Sequence, residues 1–326
     1  MNRRRLLLGT GALLALPVLR ARAGDALFPP PDQPLRWVVP FPAGGTSDVR
    51  ARQVAERLRA DAGWNVIVDN KPGASGQIGS EWVARAPADG TTLLLGTIGT
   101  LAINPHLFPQ QPYDVQRDFQ PVTQFSRSVT LLVAHRGSGL HTLADLVAAA
   151  RTGLPPAFAS TGNATIGHMV STVWQQRAGI TLTHVPYKGT APAVQDFIGG
   201  HVPLLFETPA AVWEHLKTGV AVPLAITGRE RMPQMPQVPT FAERGYPDVV
   251  FDTWQGVVVR RGLPQAALAT LNREIVRALR HPEVVRSHEE QVNTVVAGSP
   301  QAFEQFIAAE SVRWQRVVAA TGARVA

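Results

Sequence analysis

A chain of 326 residues with 45% hydrophobic side chains has material for two cores, because single cores stop growing at about 250 to 300 residues. With no cysteine it can build no disulfide, thiolate nucleophile or zinc–thiolate site. Its formal charge of +7 is concentrated at one end: Arg3, Arg4, Arg5, Arg20 and Arg22 lie in the first 22 residues, and the rest carries 26 basic against 24 acidic residues, which excludes a basic face for nucleic acid.

The three arginines precede an apolar run, Leu6 to Leu19, and Ala21-Arg22-Ala23 supplies small residues where a signal peptidase reads. Residues 1–23 are therefore expected to be an export signal cut after Ala23. The Arg-Arg-x-Leu-Leu text leaves a twin-arginine or a Sec route open. Gly9, Gly11 and Pro17 interrupt the run, which is too short to span a membrane comfortably. Residues 24–32 lead into a proline-rich stretch that includes Pro29, Pro30 and Pro31, and they read as an extended tail.

From there strand and helix patterns alternate. Strands are predicted at Leu35 to Val39, Asn65 to Asp69, Thr92 to Gly96, Val129 to Ala134, Ala157 to Ser160, Thr181 to Pro186 and Leu204 to Phe206. Helices are predicted at Ser47 to Ala60, Gly76 to Ala86, Thr142 to Arg151, Ile166 to Arg177, Pro192 to Ile198 and Ala210 to Thr218. Such alternation predicts an α/β protein built on parallel sheets with helices on both faces. The last third departs from it: strands at Val222 to Thr227 and Val257 to Val259 flank a proline-rich loop, Arg231 to Pro239, and helices follow at Pro264 to Leu279 and Pro300 to Ala320.

Four loops join a strand to a helix or close one in small hydroxyl residues. In the first, Phe41-Pro42-Ala43-Gly44-Gly45-Thr46-Ser47 leads into a helix whose early N–H groups lack intrahelical partners, which makes an anion cradle. Asp48 falls in the first turn, where a carboxylate stabilises the helix dipole whatever the function. Thr97 and Thr100 close the third strand. Ser160, Thr161, Gly162, Asn163 and Thr165 precede a helix carrying His168, and Tyr187-Lys188-Gly189 precedes a helix opened by Pro192. Lys188 reads equally as a ligand partner or a solvated side chain. The histidines have no metal-ligand spacing, and no G-x-S-x-G, phosphate-loop or dinucleotide fingerprint occurs, so no metal, cofactor or catalytic residue is expected.

The text of these loops is more specific than their spacing. VPFPAGGTSDVRAR from Val39, NKPGASGQIG from Asn70, ADGTTLLLGTIGTLAINPHLF from Ala88, PYDVQRDFQPVT from Pro112, FASTGNATIGHM from Phe158, HVPYKGTAPAVQDFIGGHV from His184 and VPTFAERGYPDV from Val238 resemble segments of the Bug receptors. Those are the periplasmic solute-binding proteins of tripartite tricarboxylate transporters. The resemblance implies a two-lobed type II periplasmic binding fold, each lobe a mainly parallel sheet flanked by helices, with the chain crossing over and back. Lobe one would hold residues 33–126 and 250–326, and lobe two residues 127–249. It further implies a monomeric, non-enzymatic receptor that holds a small carboxylate (a di- or tricarboxylate, an amino acid or an aromatic acid) between the lobes, using the four loops, and delivers it to transporter membrane subunits. A sensor signalling to a membrane kinase and a periplasmic hydrolase are the alternatives. Two positions depart from the family text: Glu207 in FETP, where Asp and a small or amide residue are usual, and Gln255 in FDTWQGVVV, where an aromatic is usual. Glu207 joins the candidate ligand contacts.

Overall fold

The computed structural model describes residues 28–30 and 32–322; the expected signal segment, its cleavage point and most of the tail lie outside the described residues. Among the described residues eleven strands form two sheets. The first contains β1 (Leu35–Val39), β2 (Val66–Asn70), β3 (Thr92–Thr97) and β4 (Phe119–Val129). The second contains β5 (Leu131–His135), β6 (Ala157–Ser160), β7 (Thr183–Pro186), β8 (Leu204–Glu207) and β9 (Ala221–Ile226), after which β10 (Asp252–Arg260) and β11 (Asn293–Val295) rejoin the first. The orders are β11-β4-β10-β3-β1-β2 and β7-β6-β8-β5-β9.

The helices are α1 (Thr46–Ala62), α2 (Gln77–Ala84), α3 (Asn104–Leu107), α4 (Val115–Asp118), α5 (Leu143–Thr152) and α6 (Ile166–Ala178), then α7 (Thr190–Ile198), α8 (Pro209–Lys217), α9 (Gln265–Leu279), α10 (Pro282–Glu290) and α11 (Pro300–Thr321). Among the described residues no helix is long and apolar enough to cross a membrane.

Each sheet is mixed rather than mainly parallel. Parallel pairing is confined to β1 with β2 and β3, and to β6 with β7 and β8, while β5, β10 and β11 pair only antiparallel with their neighbours. The cause is the double crossing, because a strand that enters a sheet from the other lobe arrives against the direction set by the β–α–β units.

The expected strand Val129 to Ala134 is in fact two strands in two sheets, divided at Thr130, and β4 extends back to Phe119. β4 was hidden by its text, FQPVTQFSRSV, in which polar residues interleave and Pro121 interrupts. The pairing of β4 with β10 shifts register between Val257 and Val258, opposite Pro121, which is where a central strand tolerates proline. Two of its buried hydroxyls are bonded: Ser128 Oγ donates to Val292 O at 2.6 Å and Thr123 Oγ1 to Gly298 O at 2.8 Å.

The two expected cores are bridged. One cluster of buried side chains runs from Val38 and Leu94 in the first sheet through Trp254 to Phe158, Trp174 and Phe206 in the second. α11 lays Phe303, Ile307 and Trp314 into this cluster. Gly256 makes room there, since a Cβ on it would lie 2.0 Å from the Phe303 ring.

Candidate functional site

Four helix N-termini point at one space between the sheets. The N-cap residues are Gly45 for α1, Thr165 for α6, Gly189 for α7 and Thr208 for α8, and at none of them does a side chain cap the free N–H groups. Gly45, Thr46 and Ser47 meet Thr165, Ile166, Thr190, Ala191 and Thr208 around a cavity of about 90 Å3. Each terminus acts as roughly half a positive charge. The first turns of α6, α7 and α8 carry no acidic residue to neutralise it.

Two charged side chains face the same cavity. Arg50, one turn into α1, is 5% exposed, and its Nε and Nη2 find no hydrogen-bond partner among the described residues. Burial pushes the guanidinium down to about 10 and Glu207 pulls it back, so it stays charged at neutral pH. Glu207 closes β8; burial pushes its carboxyl up, opposed by the Thr208 amide, which donates to Oε1 at 2.7 Å, and by Arg50. Gln255 donates to Ser47 Oγ at 2.6 Å and leaves Oε1 unpaired, while Asn293 Nδ2 and Thr208 Oγ1 are buried without partners. A small anion entering here would meet several unused donors in a dry, positive enclosure, where hydrogen bonds to charge are strongest.

The expected loops divide between roles. Phe41, Pro42, Thr97 and Thr161 line the cavity beside Gly45, Thr46, Ser47, Thr165 and Glu207, whereas Ala43 and Gly44 do not. Asp48 is turned away: it accepts from the Gly44 amide at 2.9 Å, from Arg52 at 3.0 Å and from Asn70 at 3.0 Å. Burial pushes its carboxyl up, but these three partners more than offset that and hold it below the usual range. Of the two glycines only Gly44, with φ of +78°, needs the left-handed region; Gly45 has φ of −78° and serves as the cap.

Three expected contacts are spent inside their own loops. Thr100 is fully buried and accepts the Thr97 amide at 2.9 Å. Ser160 Oγ bonds Gly162 O at 3.0 Å and His184 Nε2 at 2.6 Å. His168 accepts the Ala164 amide on Nδ1 at 3.1 Å and stacks on His184 with centroids 4.2 Å apart. Burial lowers His168, and burial together with His168 lowers His184 to about 3, so the stacked rings are neutral supports. Helical spacing placed His168 on the right helix, but its ring does not line the cavity; it holds the turn at Ala164 that does.

Gly162, Asn163, Tyr187, Lys188 and Gly189 border an adjoining cavity of about 580 Å3, which shares Phe41, Pro42, Ser75 and Thr161 with the first. Here the two halves touch. Ser75 Oγ donates to Asn163 O at 2.6 Å, and a Cβ on Gly189, where φ is +117°, would lie 2.8 Å from Pro42 Cδ. Gly189→Val is therefore expected to hold the halves apart and weaken binding at least tenfold, read by calorimetric titration against wild type, and to lower the melting temperature as well, because valine is strained at this φ. Unchanged affinity in a folded variant would show that this contact is not part of closure.

Reading the sequence missed Arg50, Asn293 and Thr208. Arg50 follows Thr46 by four residues and Ser47 by three, so the helical period places all three on one face and could have found it. Asn293 sits on a three-residue strand that no local pattern announces.

The family described as tripartite tricarboxylate transporter family receptor matches residues 50–323. Protein BugT of Bordetella pertussis is 37% identical over all of both chains. Among solved structures, an R. palustris protein with adipate has a TM-score of 0.86 at 33% identity, covering 90% of this chain and 99% of that one. MatC from Rhodopseudomonas palustris with bound malate has a TM-score of 0.84 at 28% identity, covering 88% and 99%. A match that spans both sheets, every strand crossing and the cavity between them leaves one conclusion: the chain belongs to the tripartite tricarboxylate transporter receptor family, a family of receptors and not of enzymes.

Proposed function

We propose that this protein is an exported, periplasmic receptor for a small carboxylate, which it encloses between two lobes and presents to the membrane subunits of a tripartite tricarboxylate-type transporter. The observation that carries this reading is the convergence of four helix N-termini and one unpaired, buried guanidinium on a single cavity between the sheets. The adipate and malate held by similar proteins support a carboxylate as the ligand class. Residues 33–129 with 250–326 act as one lobe and residues 130–249 as the other, the boundary expected at 126 lying instead at Thr130, where the chain leaves the first sheet after β4, and a monomer suffices because both walls come from one chain. Backbone amides of Thr46 and Ser47, the Thr165 loop and Arg50 hold the acid group. Tyr187 and Lys188 border the outer cavity and serve the mouth.

A thermal-shift screen of mono-, di- and tricarboxylates and amino acids on the purified protein tests the reading. A ligand that binds only the folded state adds about 2.7 kcal/mol at a concentration 100-fold above Kd, so a true ligand raises the midpoint by several degrees. Small-angle scattering with the hit should show a contraction as the lobes close. A screen in which no carboxylate moves the midpoint, while an uncharged or cationic solute does, would overturn it.

A further inference from the structure

Val292 is poorly suited to the backbone it has. Its φ is +55°, in the left-handed region, where a β-branched side chain is a genuine outlier. The other described non-glycine residues in that region are Ala74, Ser75, Ala164 and Ala297, none of them β-branched. Ala74, Ser75 and Ala164 border the ligand space where the two halves touch, and Val292 and Ala297 bracket β11. Val292 is held in place from three directions. Its amide donates to Glu289 O at 3.1 Å, its carbonyl accepts from Ser128 Oγ at 2.6 Å, and its fully buried side chain packs in the cluster of Val129, Leu131 and Met235. Strain of this kind persists only where the surroundings overrule it, and it collects at ligand clamps.

What the turn delivers is Asn293. It is 3% exposed and lines the same cavity as Arg50, and its Nδ2 has no partner among the described residues. Asn293 pairs with Ser128 across the sheet, so the serine that grips the Val292 carbonyl also stands at the register position of the asparagine. A buried amide without a bond opposes folding, and so does the strained turn before it. The fold gains nothing from either, whereas an anion in the cavity would accept from that amide in an enclosed, positive site. We propose that β11 is a ligand-holding finger, in which the strained turn at Val292 aims the Asn293 amide into the cavity and the amide donates to the acid group that Arg50 also holds. This rests on the receptor reading above and deepens it: Asn293 touches the ligand, and Val292 and Ser128 position Asn293.

The test is calorimetric titration of the purified protein at pH 7.5 with succinate, adipate, L-malate, citrate, L-glutamate and benzoate, alongside thermal melting. With whichever acid binds wild type most tightly, Asn293→Leu, which keeps the volume and removes an unbonded buried amide, should bind at least tenfold more weakly and melt no lower. Asn293→Asp, which sets an acid where the donor stood, should bind more weakly than Asn293→Leu. Ser128→Ala frees the Val292 carbonyl without altering the cavity lining. It should weaken binding at least threefold on its own and have no further effect in the Asn293→Leu background, a coupling that a role in folding alone would not produce. Val292→Gly, which accepts the left-handed backbone without strain and so no longer fixes the turn, should show the same coupling and serves if Ser128→Ala does not fold. A loss smaller than tenfold in Asn293→Leu, a loss accompanied by melting well below wild type, binding by Asn293→Asp equal to or tighter than that of Asn293→Leu, or absence of the coupling overturns the inference and leaves the carboxylate receptor standing. A wild type that binds none of the six acids overturns the receptor reading itself, and this inference with it.

Discussion

Arg50→Met is expected to give a protein that folds as well as or better than wild type and no longer holds its carboxylate. Burial desolvates the guanidinium, and two of its three nitrogens find no partner among the described residues, so it opposes folding. Replacing buried charge by an apolar side chain of similar volume is commonly neutral or stabilising by about 1 to 4 kcal/mol. Binding should move the other way. Removing one partner of a buried, hydrogen-bonded charge pair costs about 2 to 5 kcal/mol, or roughly 30- to 5,000-fold in Kd. The same residue thus lowers stability and confers affinity, and the two effects separate in one variant. The pH dependence has a definite sign. Because burial lowers this group to about 10, well below the ordinary guanidinium range, its cost to folding is fully present below pH 10 and is relieved as pH rises through that value, while ligand affinity falls over the same interval. Both trends should be missing from the Met variant. A variant that melts well below wild type, or that binds within threefold of it, would show that Arg50 is a structural cation and not a ligand contact.

How much of this was legible in the sequence depended on whether the information was local. β1 and β6 were placed to the residue and α6 at its first residue, because each reads as an apolar run bounded by a loop of small residues; of the cradle expected over Ala43 to Ser47, Gly45, Thr46 and Ser47 line the cavity and Ala43 and Gly44 do not. The two Gly-Gly positions were not separable that way, since only the built turn distinguishes a left-handed Gly44 from a capping Gly45. The break at Thr130 was invisible for a related reason: the residues on either side, Val129 and Leu131, are apolar, and only pairing partners far along the chain divide them between sheets. Hydroxyls misled most. Thr100 and Ser160 sit on the expected loops, but a hydroxyl two or three residues from a free backbone group satisfies that group first, and these two are consumed in shaping the turns that present other atoms. Arg50 was passed over because an arginine in an amphipathic helix is usually solvated, and nothing local reveals that the opposite wall closes over it.

Thr227→Val is expected to be the most destabilising conservative change at the crossing between the sheets, and Thr130→Val, one strand away, the mildest. Thr227 is fully buried just after β9 and is bonded through every polar atom it has. Its amide donates to Thr130 O at 3.0 Å, its carbonyl accepts from Phe251 N at 3.0 Å, and its hydroxyl accepts from Thr130 N at 2.9 Å while donating to Phe251 O at 2.5 Å. One side chain therefore ties the outgoing segment at Thr130 to the returning segment at Phe251. Valine keeps the shape and the backbone bonds but strands one buried N–H and one buried C=O. Each stranded group costs about 1 to 3 kcal/mol, so the loss should be about 2 to 6 kcal/mol by denaturant unfolding. The Thr130 hydroxyl is just as buried but has no partner among the described residues, so trading it for a methyl should be neutral or slightly stabilising. Because the same clip fixes the angle at which the strands leave one sheet for the other, Thr227→Val should also broaden the scattering profile of the ligand-free protein as the lobes sample more orientations, and Thr130→Val should not. Equal stability losses in the two variants, or a larger loss for Thr130→Val, would mean that the crossing is held by packing and that the hydroxyl clip is incidental.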